Sequence, residues 1–184
     1  MNALMIHGAY GNSKENWFPW LKAELENRNF KVYVPDFPTP ENQNLENWFK
    51  VYNVYERYLD EDSIIIGHSI GVAFILNILE RLNKPIKAVF LVAGFMELLD
   101  NPDFDEINRT FVEKRFDWSR IKENCKNFFV YNSDDDPYVP LKRGRRLAEK
   151  LETKLIVVNG AKHFNKEAGY TEFTILLRDI TRLK

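Results

Sequence analysis

Ser63-Ile64-Ile65-Ile66-Gly67-His68-Ser69-Ile70-Gly71, continued by Val72-Ala73-Phe74-Ile75-Leu76, is the stretch that decides the fold. Its first part is a short β-branched run, which suits a strand over Ser63 to Ile66 covered on both faces. Its last part carries apolar residues on to Leu82 and reads as a helix from Ile70. Between them stands the pattern G-x-S-x-G. A strand that turns sharply into a helix leaves no room for bulk beside the turn, so glycines flank the serine. A serine at that turn projects above the sheet. The helix N-terminus then offers backbone N–H groups and a positive dipole end beside it. The plainer alternative is a tight turn in which Ser69 only caps the helix. The strand–turn–helix context favours a nucleophile.

Working outward, five more apolar runs read as strands: Ala3 to Ile6, Val32 to Val34, Ala88 to Val92, Phe128 to Tyr131 and Leu155 to Val158. Helical patterns lie between them. Leu45, Trp48, Tyr52, Tyr55 and Leu59 recur at three- or four-residue spacing and share one face, which reads as core. Others span Asn16 to Asn27, Leu141 to Leu151 and Tyr170 to Leu183. Alternating strands and helices predict an α/β fold with a doubly wound, mostly parallel sheet. Residues 95–127 break the rhythm. They hold a turn signal at Asp100-Asn101-Pro102-Asp103, then helix-compatible residues, and no convincing strand. We expect one domain over 1–184 with a small cap in this excursion.

Composition narrows the function. The chain has 184 residues, 45% of them hydrophobic and 29% charged, which is a globular balance. Its 26 basic and 27 acidic residues give a net charge of −1 and no field for gathering nucleic acid or anionic lipid. No apolar run reaches the roughly 18 residues of a membrane span. No secretory leader is apparent before His7-Gly8, and the expectation is a cytoplasmic protein. The single cysteine, Cys125, reads as a small buried apolar residue. Asn108-Arg109-Thr110 matches a glycosylation sequon, which is meaningless without secretion. No G-x-G-x-x-G follows the first strand, and no G-x-x-x-x-G-K-[ST] or H-E-x-x-H occurs. Three scattered histidines do not make a metal cluster. The expectation is no metal and no cofactor.

A nucleophilic serine needs a base. His68 adjoins Ser69 and should point elsewhere, and His7 ends the first strand, where it shapes a loop. His163 follows the sixth strand, where open α/β sheets gather functional loops. The carboxylate that orients the base comes from Asp134-Asp135-Asp136, after the fifth strand. Spacing alone leaves the three aspartates open, and a solvated turn capping the next helix is the competing reading. The order serine, aspartate, histidine along the chain suits the α/β-hydrolase arrangement. The glycine-rich loop His7-Gly8-Ala9-Tyr10-Gly11 should sit beside the Ser69 elbow, with backbone N–H groups available to a developing oxyanion.

The whole chain resembles the small serine hydrolases of the retinoblastoma-binding-protein-9/YdeN family. The resemblance rests on His7-Gly8 with Asn16-Trp17 and Trp20-Leu21, Ile65-Ile66-Gly67-His68-Ser69, and Trp118 with Ile121-Lys122. It rests also on Asp135-Asp136-Pro137-Tyr138-Val139-Pro140 and Gly160 to Phe164. It implies a compact α/β-hydrolase fold whose six strands lie in the order 2-1-3-4-5-6. It implies Ser69, Asp136 and His163 as the triad, since the family's acid stands just before proline. Asp134 and Asp135 then become solvated neighbours. By analogy with the wider fold, the N–H groups of Ala9 and Ile70 become the oxyanion donors.

The resulting expectation is a hydrolase of small carboxylic esters or related acyl compounds, working through an acyl-enzyme on Ser69. Tyr10, Phe95, Trp118 and Tyr138 are expected pocket walls. The expected partner is a small acyl substrate, with no nucleic acid or membrane. A protein-interaction module on the same scaffold is the alternative. A flavodoxin-like or nucleotide-binding domain is a weaker third.

Overall fold

A computed structural model describes residues 1–183. Six strands, β1 (Asn2–Ile6), β2 (Lys31–Tyr33), β3 (Ile64–His68), β4 (Ala88–Val92), β5 (Phe128–Ser133) and β6 (Leu155–Val158), form one sheet. Its order is β2-β1-β3-β4-β5-β6, and every neighbouring pair is parallel. The doubly wound α/β expectation therefore holds, order included.

The apolar runs make strands because both faces of the sheet are covered. Successive residues alternate between two cores. Leu4, Ile6, Ile65, Val89, Leu91 and Val130 face one cluster, while Ala3, Met5, Ile64, Ile66, Phe90 and Tyr131 face the other. On the first face lie α2 (Leu45–Glu56), α3 (Ile70–Arg81) and α6 (Leu141–Lys150), and on the second α1 (Phe18–Glu26) and α7 (Thr174–Thr181). In α3 every residue from Ile70 to Leu79 is buried. That all-round apolarity marks a central helix rather than an amphipathic surface one.

Residues 95–127 contain α4 (Pro102–Val112) and α5 (Trp118–Glu123). Pro102 starts α4 at a position that needs no backbone N–H. Hydrogen bonds from Asn77 Nδ2 to the Phe111 carbonyl and from the Leu45 N–H to Thr110 tie α4 to α3 and α2. Helix α5 lies elsewhere. Arg120 donates to the Leu82 carbonyl, and Asn124 to those of Leu79 and Leu82. These contacts fix α5 at the C-terminal end of α3, beside the edge of the sheet where the strands begin.

Several boundaries differ from the periodicity, two of them with a visible cause. Strand β3 runs on to His68, because the ladder to β4 continues with His68 opposite Val92. Helix α7 starts at Thr174 rather than Tyr170. Asn165 first caps a short 3-10 turn (Lys166–Ala168), and Gly169 leaves it with φ +84°. No helix among the described residues is long and apolar enough to cross a membrane.

The chain winds outward in opposite directions from β1 and β3. Loops leaving the C-terminal ends of such strands face a common crevice. The loops after β1, β3, β5 and β6 meet there.

Candidate active site

Ser69 joins β3 to α3 with φ 55° and ψ −123°. A non-glycine residue in that region costs about 1–3 kcal/mol and persists only where the surroundings force it. The forcing groups are visible. A Cβ on Gly71 would lie 2.7 and 2.8 Å from the carbonyl oxygens of Ile6 and His7. One on Gly67 would lie 2.5 Å from Ile75 Cδ1. Helix and strands thus approach through both glycines. The Ser69 hydroxyl makes no capping hydrogen bond, which removes the helix-cap reading.

The loop after β1 presses on the elbow, since a Cβ on Gly8 would meet Ser69 Cβ at 2.9 Å. His7 is buried, and both ring nitrogens are engaged. The Phe37 N–H donates to Nε2 at 2.9 Å, so Nδ1 carries the proton and donates to the Gly8 carbonyl at 2.8 Å. Burial holds the His7 pKa below its ordinary value and keeps this tautomer neutral. The Gly11 N–H also donates to the Gly8 carbonyl. In a trans peptide the C=O and N–H point opposite ways. Holding the Gly8 oxygen therefore turns the Ala9 N–H the other way. The N–H groups of Ala9 and Ile70 have no protein acceptor among the described residues.

The loop after β6 is gripped at every residue from Gly160 to Phe164. Asp134 Oδ1 accepts from the Gly160 N–H at 2.9 Å, Ser133 Oγ from the Ala161 N–H at 3.0 Å, and Asp135 Oδ1 from the Lys162 N–H at 2.8 Å. Asp136 Oδ2 lies 2.8 Å from His163 Nδ1, its side chain wholly enclosed. A carboxylate only accepts, so Nδ1 carries a proton, and in the neutral ring Nε2 is the nitrogen with the lone pair. His68 Nε2 donates to the His163 carbonyl at 2.8 Å, and Trp17 Nε1 to the Phe164 carbonyl at 3.1 Å. Burial, aided by the neighbouring His163, pushes the His68 pKa down to about 3, so its ring is neutral. Asp134 and Asp135 are therefore not merely solvated neighbours. They anchor the loop's amides, and Ser133 and Lys162 hold the Asp135 carboxyl at about 2.

Ser69 and His163 line one cleft of about 680 Å³, together with Ala9, Tyr10, Phe95 and Tyr138. Trp118 does not reach it. Helix α5 sits at the far end of α3, and Trp118 packs there against Phe116 and the core. The sequence reading missed Leu99, Phe104 and Asn108, which also line the cleft. Once Pro102 is taken as a helix start, the spacing of 104, 108 and 111 puts Phe104 and Asn108 on one face of α4 with buried Phe111. Tyr10, Phe104, Tyr138 and His163 form a chain of edge-on aromatic contacts with centroids 6.2, 5.7 and 5.0 Å apart. Asn108 is only 2% exposed, so the sequon is closed to a glycan in the folded chain. Cys125 is buried far from the cleft lining, its thiol pushed up to about 12 by desolvation.

The chain is 31% identical over 179 residues to YdeN of Bacillus subtilis, an alignment covering 96% of this chain and 93% of YdeN. It is 28% identical to the serine hydrolase RBBP9 of Rattus norvegicus, covering 96% and 91%. The crystal structure of B. subtilis YdeN superposes with a TM-score of 0.92 over 99% of this chain and 97% of that one, at 29% identity. Est1E of Butyrivibrio proteoclasticus shares the fold, at a TM-score of 0.74 and 17% identity over 98% of this chain and 85% of its own. The family profile described as serine hydrolase matches residues 3–182. This chain belongs to the serine hydrolase family and has the α/β-hydrolase fold.

Proposed function

We propose that the protein hydrolyses small carboxylic esters or related acyl compounds through Ser69, His163 and Asp136. One observation carries this reading. A strained serine with no side-chain capping bond shares a cleft with a histidine whose Nδ1 is held by an enclosed carboxylate, leaving Nε2 basic. Nε2 accepts the Ser69 proton as Oγ attacks the acyl carbon. The free N–H groups of Ala9 and Ile70 receive the oxyanion. Imidazolium then protonates the leaving alcohol, and Asp136 stabilises that cation while holding the tautomer. Water, deprotonated by His163, hydrolyses the acyl-enzyme.

Residues 95–112 act as the cap. Phe95, Leu99, Phe104, Tyr138 and Val139 supply an apolar wall for the acyl group. Glu15, Lys166 and Glu167 form a polar mouth facing solvent, suited to a departing alcohol.

The test is labelling by a fluorophosphonate probe, beside turnover of p-nitrophenyl esters of graded acyl length. The wild type is expected to label and turn over, and Ser69→Ala to do neither. A correctly folded wild type that is inert to every probe and ester would favour the interaction-module alternative.

A further inference from the structure

A hydrogen-bond chain runs from the exposed loop after β1 to buried Asn108 on α4, and its polarity is fixed along the way. It begins at the Tyr10 N–H, which can only donate, here to Thr39 Oγ1 at 2.7 Å. The Thr39 hydroxyl donates onward, and Gln43 Oε1 accepts at 2.5 Å. Gln43 Nε2 is then the donor. The Ile107 carbonyl forces this orientation, because Nε2 also reaches it at 3.2 Å and a carbonyl can only accept. The same Nε2 lies 2.8 Å from the Asn108 carboxamide, which must present its oxygen. The Asn108 NH2 is thereby committed to the opposite side.

That NH2 has no acceptor among the described residues. Asn108 is almost wholly buried and lines the cleft, so its slight exposure is to the cleft. Its neighbours on that wall, Phe95, Leu99, Phe104 and Val139, carry no side-chain hydrogen-bonding group, and no hydrogen bond joins it to the Tyr138 hydroxyl, also on that wall. A purely aliphatic acyl chain seated there would strip water from the NH2 and return nothing. An unsatisfied buried donor is penalised far more than a satisfied one is rewarded, so such a site rejects the analogue that lacks the partner.

We propose that Asn108 is a specificity residue whose Nδ2 donates to an oxygen acceptor carried by the acyl group, away from the scissile carbonyl. The preferred substrates are then acyl compounds with an ether, keto or hydroxyl oxygen along the chain rather than plain alkanoates. The proposal rests on the hydrolase reading above, with the acyl chain on the cap wall.

The experiment compares p-nitrophenyl hexanoate with its three mono-oxa isosteres, in which oxygen replaces the methylene at acyl position 3, 4 or 5. Each kcat/KM is divided by the ester's hydroxide-catalysed rate, which removes intrinsic reactivity. The wild type should prefer one isostere over hexanoate by roughly tenfold, the size of one well-placed neutral hydrogen bond plus part of the avoided penalty. Asn108→Leu should abolish the preference. Asn108→Asp keeps an acceptor for Gln43 but replaces the donor, and should abolish or invert it. Because each readout is a ratio within one variant, a general loss of activity cancels. A wild type with no preference at any position, or a preference that survives both substitutions, overturns the proposal while Ser69-dependent turnover stands. Absence of Ser69-dependent turnover overturns the hydrolase reading and this proposal with it.

Discussion

Among single residues, the aspartate run after β5 divides its work most sharply. Asp136 meets the imidazole, while Asp134 and Asp135 meet the backbone of the loop that carries it. Lys162 and Phe164 both have positive φ, so this loop takes its shape from its anchors. Asp135→Ala removes the acceptor of the Lys162 N–H and the partner of Ser133 Oγ. It should lower kcat/KM by about 10- to 100-fold through misplacement of His163. Asp135→Asn, which keeps an acceptor oxygen, should recover most of that. Lys162→Met removes only the exposed ion pair to Asp135, and exposed pairs contribute about 0–1 kcal/mol. Its kcat/KM should stay within about threefold of wild type. Equal losses in Asp135→Ala and Lys162→Met would show that the ion pair, not the amide anchor, holds the loop. Ser69 and His163 were legible in the sequence because each follows the C-terminal end of a strand. The proposed acid was not separable from its two neighbours by spacing, and only the following proline, through the family resemblance, singled it out. The anchoring roles had no signal at all, since the partners are backbone amides that every residue type carries.

At the scale of elements, the elbow depends on how closely α3 approaches β1. The Cβ of Gly71→Ala would sit within 2.8 Å of two backbone oxygens, those of Ile6 and His7, neither of which can swing aside like a side chain. The substitution should destabilise by about 1–3 kcal/mol or more, as overpacking does, and should also disturb Ser69. A lowered urea midpoint together with slower fluorophosphonate labelling checks both. An unchanged midpoint would mean that α3 lifts away freely and that the turn is less constrained than its contacts imply. The strands were readable because their apolar runs are short and bounded by polar turns. The excursion between β4 and β5 was not. Local pattern gives a turn signal and helix-compatible residues, but the positions of α4 and α5 come from distant partners. Arg143 on α6 pairs with Glu97 and Asp100 at the start of that excursion, whereas Arg120 and Asn124 carry α5 to the other end of α3. The misplacement of Trp118 follows from that second set of contacts, which no periodicity encodes.

In the molecule as a whole, the parallel sheet brings the ends of β1 and β3 side by side, and each ends in a buried neutral histidine. Strand order was legible because strands alternate with helices and the hydrolase resemblance supplied the sequence of neighbours. The electrostatic consequence emerges only from burial. His68 is held near 3 and His7 below its ordinary value, so the folded chain resists protons that the unfolded chain takes up at about 6.5. Between those values the unfolded state binds more protons, and stability must rise with pH. His68 alone therefore contributes stability that is complete above about pH 6.5 and erodes as pH falls toward 3. For His68 the slope approaches ~1.4 kcal/mol per pH unit in the middle of that window, and His7 acts in the same direction. Asp135, held at about 2, adds its own loss only below the ordinary aspartate value of 3.8, so above that pH the fall belongs to the histidines. Urea unfolding between pH 7 and 4.5 should show the fall in the wild type. His68→Gln, which keeps a donor for the His163 carbonyl but cannot titrate, should show a slope smaller by close to one proton. A slope unchanged by that substitution would mean that the His68 ring is charged, or reached by water, in the native state. A charged ring so close to His163 would then compete with Asp136 for control of the base, and the proton bookkeeping of the whole cleft would have to be redrawn around it.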